Sequence, residues 1–474
     1  MNQRKISTFL FLLAFFPLFL FAQDIKPRQL SQEHIEKSLD TISLYKESNV
    51  LSIEIDSLSR DSILPWPLYM TARLDTTMRT SPYMKGVTAG VMVYDFTADS
   101  VLYRYNEKRL LKPASTEKLL TSITALKELG ADHPFYSRLY YTGEVKLDTI
   151  YFVPDSIRAD IPLEELVDTL GNPLYKFMKV FHGDFYGVGS YDPVFSGTDL
   201  NAFADSIVAL GMDSIAGNIY EDVSNRYNLS ISPFLVNKTG SFASKLRDAL
   251  KLRNVLFSGL TGTSVCPEDT VLLAEQVHTL KQILNRMMKQ SDNQYAEAVF
   301  HKIGSLRNYP IHGVRNLIGE LSFNPDTYII ADGSGLSHDN KVSPELEIAF
   351  LKYARENDSI YNTLYSSLPI AGVDGTLSER MKELPAYRNV RAKTGTLNGV
   401  ITLSGYCTSA NNHELIFAIM LNDIKSSITA KALEDELCTI MTHDETFIPK
   451  KKVIVVKHRP VRRRTAARKR RRRR

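Results

Sequence analysis

Hydrophobic residues are arranged in short runs in two widely separated parts of the chain, which predicts two β-hairpins. The first hairpin has strands over 89–94 and 101–105, joined by the turn-forming run 95–100. In its first strand, Ala89, Val91 and Val93 alternate with the residues between them, which suits a strand with at least one buried face. The second hairpin has apolar strands over 400–406 and 415–421, which flank an Asn-rich turn.

Apolar residues that recur every three or four positions predict helices. One opens at residues 113–118 and ends at Gly130, and others are expected over 200–210, 271–288 and 426–443. The apolar stripe within 271–288 is interpreted as core packing, and it consists of Leu280, Ile283, Leu284, Met287 and Met288.

Short apolar runs predict further strands over 135–141, 181–188 and 390–393, the last of which ends at Thr394 and Gly395. Strands near both ends of the chain, with helices between them, predict an α/β or α+β fold in which helices cover a sheet. A length of 474 residues predicts two or three domains.

Composition and charge narrow the class of protein. Hydrophobic residues make up 43% and charged residues 23% of the chain, which excludes disordered, collagen-like and polytopic membrane proteins. The net charge of +5 hides an acidic part, with −10 over residues 1–449. The remaining residues, 450–474, hold 15 Lys and Arg and no acidic residue.

The N-terminus predicts export. Arg4 and Lys5 precede an apolar run over 9–21 that ends at Ala22, a pattern typical of a secretory signal peptide over residues 1–22. The run is too short to span a bilayer comfortably, and no later stretch reaches 18 apolar residues. We therefore expect a soluble protein of the periplasm or cell envelope.

No metal or organic cofactor is expected. The cysteines form no CxxC pair and the ten histidines form no HExxH motif, so the clustered ligands of a zinc site are missing. An odd number of cysteines leaves at least one thiol unpaired. The cysteines are Cys266, Cys407 and Cys438, and the histidines interpreted as structural or surface residues include His133, His182 and His338.

The first of three motifs with candidate chemistry pairs Ser115 with Lys118. The two residues lie on one face of a predicted helix start, where free N–H groups and the helix dipole favour an alkoxide or an oxyanion. A lysine held neutral by nearby positive charge could accept the serine proton. On its own, the pair also fits a helix cap followed by a surface lysine.

The other two motifs are Ser291-Asp-Asn293 and Lys393-Thr394-Gly395. The first follows the apolar stripe, and alone it also fits a capping turn. The second ends a predicted strand, where the lysine cation and the threonine hydroxyl could hold a substrate carboxylate. Glycine there could let a substrate backbone approach closely. Alone, this motif also fits a solvated strand end.

In the order S-x-x-K, S-D-N and K-T-G, the three motifs are typical of serine penicillin-recognising enzymes. Over roughly residues 71–422, the sequence resembles the D-alanyl-D-alanine carboxypeptidases/endopeptidases among the low-molecular-mass, class C penicillin-binding proteins. The resemblance implies a β-lactamase/transpeptidase-like catalytic domain, with an antiparallel sheet covered by helices, and a mainly β inserted domain. It also rests on the segments 111–120, 287–295, 332–337 and 368–377.

The 176 residues between Ser115 and Ser291 leave room for an insert of about one small domain. The glycine-rich loop in 332–337 lacks the ending of a P-loop and is expected to line or support the site. The resemblance implies a split catalytic domain (65–140 and 256–449) with a reduced insert (141–255). Together with the sequence patterns at the two ends, it predicts a signal peptide (1–22), an N-terminal segment (24–64) and a disordered basic tail (450–474).

The resemblance also implies a mechanism. Ser115 attacks the carbonyl of the penultimate D-alanine in a peptidoglycan stem peptide, with Lys118 as the general base. Ser291, together with Lys393, passes a proton to the leaving amine. Asn293 orients the substrate amide and the general base.

Substrate binding follows from the same resemblance. Lys393 and Thr394 would bind the terminal carboxylate beside Gly395, and the N–H groups of Ser115 and Thr396 would form the oxyanion hole. Water then hydrolyses the acyl-enzyme without a cofactor. β-Lactams should acylate the same serine.

The expected function is therefore that of an exported serine peptidase that trims D-Ala-D-Ala stem peptides, cuts D-Ala cross-links, or does both. The alternatives are a β-lactamase and a non-catalytic cell-wall-binding protein on the same scaffold. The tail 450–474 could bind polyanions through charge alone. Because export separates it from nucleic acid, the candidate partner is an anionic envelope surface, and the alternative is a solvated tail without a partner.

Overall fold

The structure, a computed structural model, describes residues 66–154, 161–224, 232, 234, 241–307 and 309–443. The predictions for the signal peptide, for 24–64 and for the basic tail concern residues outside the described ones. The helices are α1 Trp66–Thr80, α2 Glu117–Leu129, α3 Gly197–Val208, α4 Phe242–Lys251, α5 Leu280–Lys289, α6 Asn293–Arg307, α7 Pro310–Glu320, α8 Pro344–Arg355, α9 Asp358–Ser367 and α10 Ser427–Thr442. The strands are β1 Thr88–Asp95, β2 Ser100–Tyr105, β3 Pro134–Tyr141, β4 Glu144–Tyr151, β5 Tyr175–His182, β6 Phe185–Gly189, β7 Ser214–Ile215, β8 Ile219–Asp222, β9 Leu256–Phe257, β10 Thr261–Ser264, β11 Val271–Thr279, β12 Arg391–Leu397, β13 Val400–Thr408 and β14 Glu414–Asn422.

The central sheet has five antiparallel strands in the order β12-β13-β14-β1-β2. It contains both predicted hairpins, β1–β2 and β13–β14, which are confirmed. Along β1, Val91 and Val93 join one hydrophobic core, whereas Met92 and Tyr94 join another. Side chains of α1 and α10 belong to the first core, and side chains of α2 and α5–α9 belong to the second. The expected fold class, an antiparallel sheet covered by helices, is confirmed.

Helix α2 runs through the core that it shares with α5–α9. A 3-10 turn over Ala114–Thr116 leads into it, and every side chain from Glu117 to Leu126 is buried. The helix ends at Gly130 as predicted, because this residue adopts a φ of 81°, which favours glycine. A helix that is buried on all sides fixes the residues at its start firmly in place.

The chain between α2 and α5 builds two further sheets. One has the strand order β10-β8-β6-β3-β11 and the other has the order β4-β5-β7-β9. Side chains from these strands and from α3 and α4 form a third core, in which Phe181 and Phe185 stack with ring centroids 4.6 Å apart. Among the described residues, none of the helices combines the length and apolarity needed to span a bilayer.

The prediction of a helix over the whole of 271–288 is wrong in its first half. Residues 271–279 form β11, which pairs with β3 along its length. Thr279 then caps α5 together with Gln282. Pairing with β3 outweighs the helical spacing before the cap, and only the second half carries the fully buried apolar stripe.

Two predicted strands differ in their bounds. The run 181–188 belongs to two strands, β5 and β6, because the chain turns at Gly183, where a Cβ would lie 1.9 Å from the Thr142 carbonyl oxygen. The strand predicted to end at Thr394 and Gly395 continues to Leu397, since β12 pairs with β13 throughout. The K-T-G motif is therefore inside an edge strand.

Candidate active site

The structure brings Ser115 and Lys118 together at the start of α2. The Lys118 Nζ lies 3.0 Å from the Ser115 Oγ. It also donates to the Asn293 Oδ1 at 2.7 Å and to the Ser334 carbonyl oxygen at 2.7 Å. The lysine side chain is fully buried. Three oxygens thus surround one amine, and one of them is the candidate nucleophile.

Burial controls the protonation of Lys118. It lowers the pKa of this lysine to about 8, against the carboxylates of Glu297 and Asp332, which raise it. The expectation that nearby positive charge would keep Lys118 neutral is therefore wrong about the cause. The charges of acidic side chains raise the pKa of Lys118, and the loss of solvation on burial outweighs them.

A second serine–lysine pair lies across the site. Lys393, fully buried on β12, donates to the Ser291 Oγ at 2.8 Å and to the Thr394 carbonyl oxygen at 2.8 Å. Burial and the positive charge of Lys118 lower the pKa of Lys393 well below its usual range. Asn293, two residues after Ser291, contacts Lys118. The short segment from Ser291 to Asn293 therefore contacts both lysines.

That loop is conformationally unusual. Ser291 has a φ of 58°, in the left-handed region that side chains other than glycine rarely adopt. This conformation turns the chain sharply between α5 and α6. The turn lets Ser291 reach Lys393 while Asn293, at the first position of α6, reaches Lys118. Strained backbone of this kind is common at functional sites.

Strand β12 lines the other wall of the site. The Thr394 hydroxyl donates to the Thr376 hydroxyl at 2.7 Å, and Thr396 is exposed on the same strand. A Cβ on Gly395 would lie 2.0 Å from the Thr402 Oγ1 and 2.8 Å from the Pro113 carbonyl oxygen. Glycine is therefore required because β12 packs against the turn before Ser115. Close approach of a substrate backbone at Gly395 stays a prediction.

The glycine-rich loop supports the site, as expected. Asp332 accepts hydrogen bonds from the backbone N–H groups of Gly335 and Ser337, each at 2.6 Å. A Cβ on Gly335 would lie only 1.7 Å from the Ala114 carbonyl oxygen, so the loop packs directly on the turn that carries Ser115. This packing places the Ser334 carbonyl against Lys118.

Sequence reasoning missed several residues of the site. The segments used for the resemblance contain Ser334 and Thr376, yet no motif singled them out. Glu297 lies one helical turn after Asn293, a spacing that could have drawn attention to it. Glu347 had no signal in the sequence.

Two acidic side chains are buried beneath the nucleophile turn. Burial raises the pKa of Glu347 to about 7, although hydrogen bonds from Ser404 and Thr116 lower it. Burial also raises the pKa of Glu117 well above its usual range, and neither of its carboxyl oxygens has a hydrogen-bond partner. The environment of both acids favours the neutral form.

The chemistry of this site rests on hydroxyls, amines and an amide. No group of three or more His, Cys, Asp or Glu side chains that could hold a metal ion occurs in the described residues. All three cysteines have free thiols, so the prediction of at least one unpaired thiol is confirmed.

Comparisons with known proteins agree with this geometry. The model of the D-Ala-D-Ala carboxypeptidase 3 (S13) family matches residues 70–150 and 228–443. The chain is 25% identical over 427 residues to D-alanyl-D-alanine carboxypeptidase DacB of Haemophilus influenzae, covering 74% of this chain and 88% of that protein. It is 28% identical over 425 residues to D-alanyl-D-alanine carboxypeptidase of an Actinomadura species, covering 72% and 79%.

A solved structure has the same fold. The crystal structure of penicillin binding protein 4 (dacB) from Haemophilus influenzae superimposes with a TM-score of 0.61 at 20% identity. The match covers 77% of this chain and 97% of that one. The shared architecture therefore includes the region between the first two motifs as well as the central sheet.

Proposed function

Because the chain belongs to the D-Ala-D-Ala carboxypeptidase 3 (S13) family, we propose that it is a serine-type peptidase that hydrolyses peptidoglycan stem peptides ending in D-Ala-D-Ala. Ser115 is the nucleophile, and the reaction passes through an acyl-enzyme on its Oγ. The observation that carries the proposal is the 3.0 Å contact between this hydroxyl and the buried amine of Lys118.

The contacts of Lys118 support its role as the general base. A neutral amine has two N–H groups and one lone pair. Asn293 Oδ1 and the Ser334 carbonyl oxygen are acceptors only, so they take both N–H groups. The lone pair is left to face Ser115, which can then transfer its proton as it attacks the substrate carbonyl.

Proton delivery to the leaving amine is assigned to Ser291. Its hydroxyl lies 2.8 Å from the Nζ of Lys393 and can pass on a proton that the lysine replaces. Asn293 keeps Lys118 in position and orients the substrate amide. The roles of Ser291 and Asn293 explain why the segment that carries them contacts both Lys118 and Lys393.

The substrate carboxylate is assigned to Lys393 and Thr394. A carboxylate arriving beside the lysine favours the charged amine, which opposes the effect of burial on its pKa. The oxyanion hole consists of the backbone N–H groups of Ser115 and Thr396. Acylation by β-lactams follows from the same contacts, because their carbonyl and carboxylate would occupy the same positions.

The proposed substrates are terminal D-Ala-D-Ala peptides and D-Ala cross-links, since the same residues serve both cleavages. Digestion of purified muropeptides, followed by mass analysis, separates the two activities. Loss of one D-alanine from monomers indicates carboxypeptidase activity, and conversion of dimers to monomers indicates endopeptidase activity. If neither product forms, the peptidase assignment is wrong.

A fluorescent penicillin tests the nucleophile directly. The wild-type protein should be labelled covalently, and Ser115→Ala should not be labelled. Ser206→Ala is a matched control, because it removes an exposed hydroxyl on α3 that bonds only its own helix. An unlabelled wild type, or a labelled Ser115→Ala, would contradict the proposal.

For the domain organisation, we propose a catalytic domain split between 65–140 and 256–449, with an insert over 141–255. The third hydrophobic core supports this division, since its fully buried members lie between Leu139 and Val255. The two sheets of the insert also take β3 from the first catalytic segment and β9, β10 and β11 from the second. Expression of 134–279, which includes these strands, as a folded unit would test the division, and a protease-sensitive product would contradict it.

The cellular location is proposed to be the periplasm or cell envelope, with the tail 450–474 on an anionic surface. Its 15 basic residues against an acidic remainder support this charge-based contact. Deleting the tail should lower binding to anionic liposomes while leaving binding to neutral liposomes unchanged. Equal partitioning of both proteins would contradict the tail's role.

A further inference from the structure

Glu347, on α8, joins two parts of the site that are distant in sequence. Its side chain is fully buried. Its Oε1 accepts a hydrogen bond from the Thr116 hydroxyl at 2.5 Å, and its Oε2 accepts one from the Ser404 hydroxyl. Thr116 directly follows the nucleophile, and Ser404 lies on β13. One carboxyl group therefore bridges the nucleophile turn and the central sheet.

A second bridge runs beside the first. The Thr402 hydroxyl, also on β13, donates to the Pro113 carbonyl oxygen at 2.7 Å. The Thr116 hydroxyl lies 2.8 Å from the same oxygen. The turn before α2 is thus attached to β13 at both of its ends. Because β13 pairs with β12, these attachments set how far Ser115 lies from Lys393.

Packing alone does not require an acid at this position. Burying a carboxyl group costs free energy, and an apolar side chain of similar volume would not carry this cost. What an apolar side chain would lack is the pair of directed hydrogen bonds. The function of Glu347 therefore lies in the parts that these two hydrogen bonds connect, the turn at Thr116 and strand β13.

We propose that Glu347 is a positioning residue, which fixes the nucleophile turn against the strands that carry the substrate-binding wall. This inference rests on the proposed function of Ser115 and Lys393. Reactive groups must be held close to the geometry of attack, and a displacement of about 1 Å can cost about a hundredfold in rate. Glu347 supplies this restraint through Thr116 without touching the substrate.

The test measures acylation by a fluorescent penicillin under single-turnover conditions. The dependence of the rate on penicillin concentration separates the noncovalent dissociation constant from the acylation rate constant. Mass spectrometry at completion gives the fraction of protein that carries the adduct. The variants are Glu347→Leu, which removes both hydrogen bonds, and Glu347→Gln, which keeps an amide that can bond both hydroxyls.

Glu345→Leu is the matched control. It makes the same substitution two residues earlier on α8, at a partly exposed side chain. It should change the acylation rate constant by less than about twofold, since it touches neither Thr116 nor Ser404.

We expect Glu347→Leu to lower the acylation rate constant by about tenfold to a hundredfold, with little change in the dissociation constant. Glu347→Gln should recover most of the rate. A purely structural role would instead lower the fraction of protein that is acylated and leave the rate constant of the folded fraction unchanged. That result, or a Glu347→Gln as slow as Glu347→Leu, would overturn the proposal.

If Glu347→Leu does not fold, Ser404→Ala takes its place, because it removes only one hydrogen bond, at a position remote from Ser115. Loss of one such bond should slow acylation by about fivefold. An unchanged rate constant in this variant contradicts the bridge. An unlabelled wild type would contradict the proposed function itself, so the two failures are distinguishable.

Discussion

The two lysines of the site have similar contacts and opposite surroundings. Each is fully buried and each lies within 3.0 Å of a serine hydroxyl. Acidic groups surround Lys118, and they partly restore the charge that burial removes. The charge acting on Lys393 is that of the other lysine, which adds to the effect of burial. Similar hydrogen bonds therefore place the two amines in different protonation equilibria.

This difference in protonation suits the two lysines to the different roles proposed for them. A pKa of about 8 leaves a useful fraction of Lys118 neutral near neutral pH, yet basic enough to take a proton from serine. Lys393 gains its charge most readily when a substrate carboxylate arrives. The comparison indicates a base that is ready before binding and a cation that forms upon binding.

The largest expected effect comes from removing the two amines one at a time. Lys118→Met should slow acylation of Ser115 by about a thousandfold, since general-base catalysis contributes that order of rate. Lys393→Met should weaken binding of substrates that carry a carboxylate and should slow acylation less than Lys118→Met, because Lys393 only replaces the proton that Ser291 passes on. Lys127→Met, at the partly exposed end of α2, is the control.

Penicillin acylation kinetics and circular dichroism check this prediction. Both variants should keep the wild-type spectrum. Equal losses of the acylation rate constant in Lys118→Met and Lys393→Met would show that the division of roles is wrong.

The pH dependence of acylation tests the same comparison without a mutation. The neutral form of Lys118 is the base, so the rate should rise with pH, tenfold per unit well below the pKa, and level off above about 8. Between pH 6 and pH 8 the rise should be about fiftyfold. A rate that falls over this range would mean that the protonated amine is the active form.

Removing an acidic neighbour should move that profile. Among the nearby charges, Glu297 does most to raise the pKa of Lys118, so Glu297→Gln should shift the midpoint to lower pH, by about one unit or less. Glu320→Gln, at a half-exposed site on α7, should leave the midpoint unchanged. A midpoint that moves upward in Glu297→Gln would contradict the proposed field around Lys118.

The smallest expected effect concerns stability. The pKa of Glu117 is raised in the folded state, so the unfolded chain releases this proton first as the pH rises. The free energy of unfolding of the wild type should therefore fall as the pH increases from about 5. Glu117→Gln should lose this part of the slope, so its free energy of unfolding should fall less than that of the wild type between pH 5 and pH 8.

Urea unfolding at both pH values measures this difference. Glu128→Gln, near the end of the same helix, supplies the control. A wild type and a Glu117→Gln with parallel pH dependence would show that Glu117 is already ionised in the folded protein.

Local sequence patterns predicted most of the central sheet and the contents of the site. The alternation in β1 and the apolar stripe of α5 have the periods of a strand and of a helix, so their structures follow from spacing. The pairing of Ser291 with Lys393, 102 residues later, followed from motif order and not from any local rule.

What the sequence did not predict depends on contacts made at long range. Residues 271–279 form a strand because β3 is available to pair with them. Gly395 is constrained by Thr402 and Pro113, which only the fold brings near. The bridge through Glu347 likewise exists only where α8, β13 and the nucleophile turn meet.

The burial of α2 on all sides has a consequence for how this protein loses activity on heating. Ten consecutive residues at the start of this helix, 117–126, are buried, and so is Thr116 before them. Ser115 immediately precedes this buried run. Moving Ser115 out of place requires unpacking the core through which α2 runs. Activity should therefore persist on heating until this core unfolds.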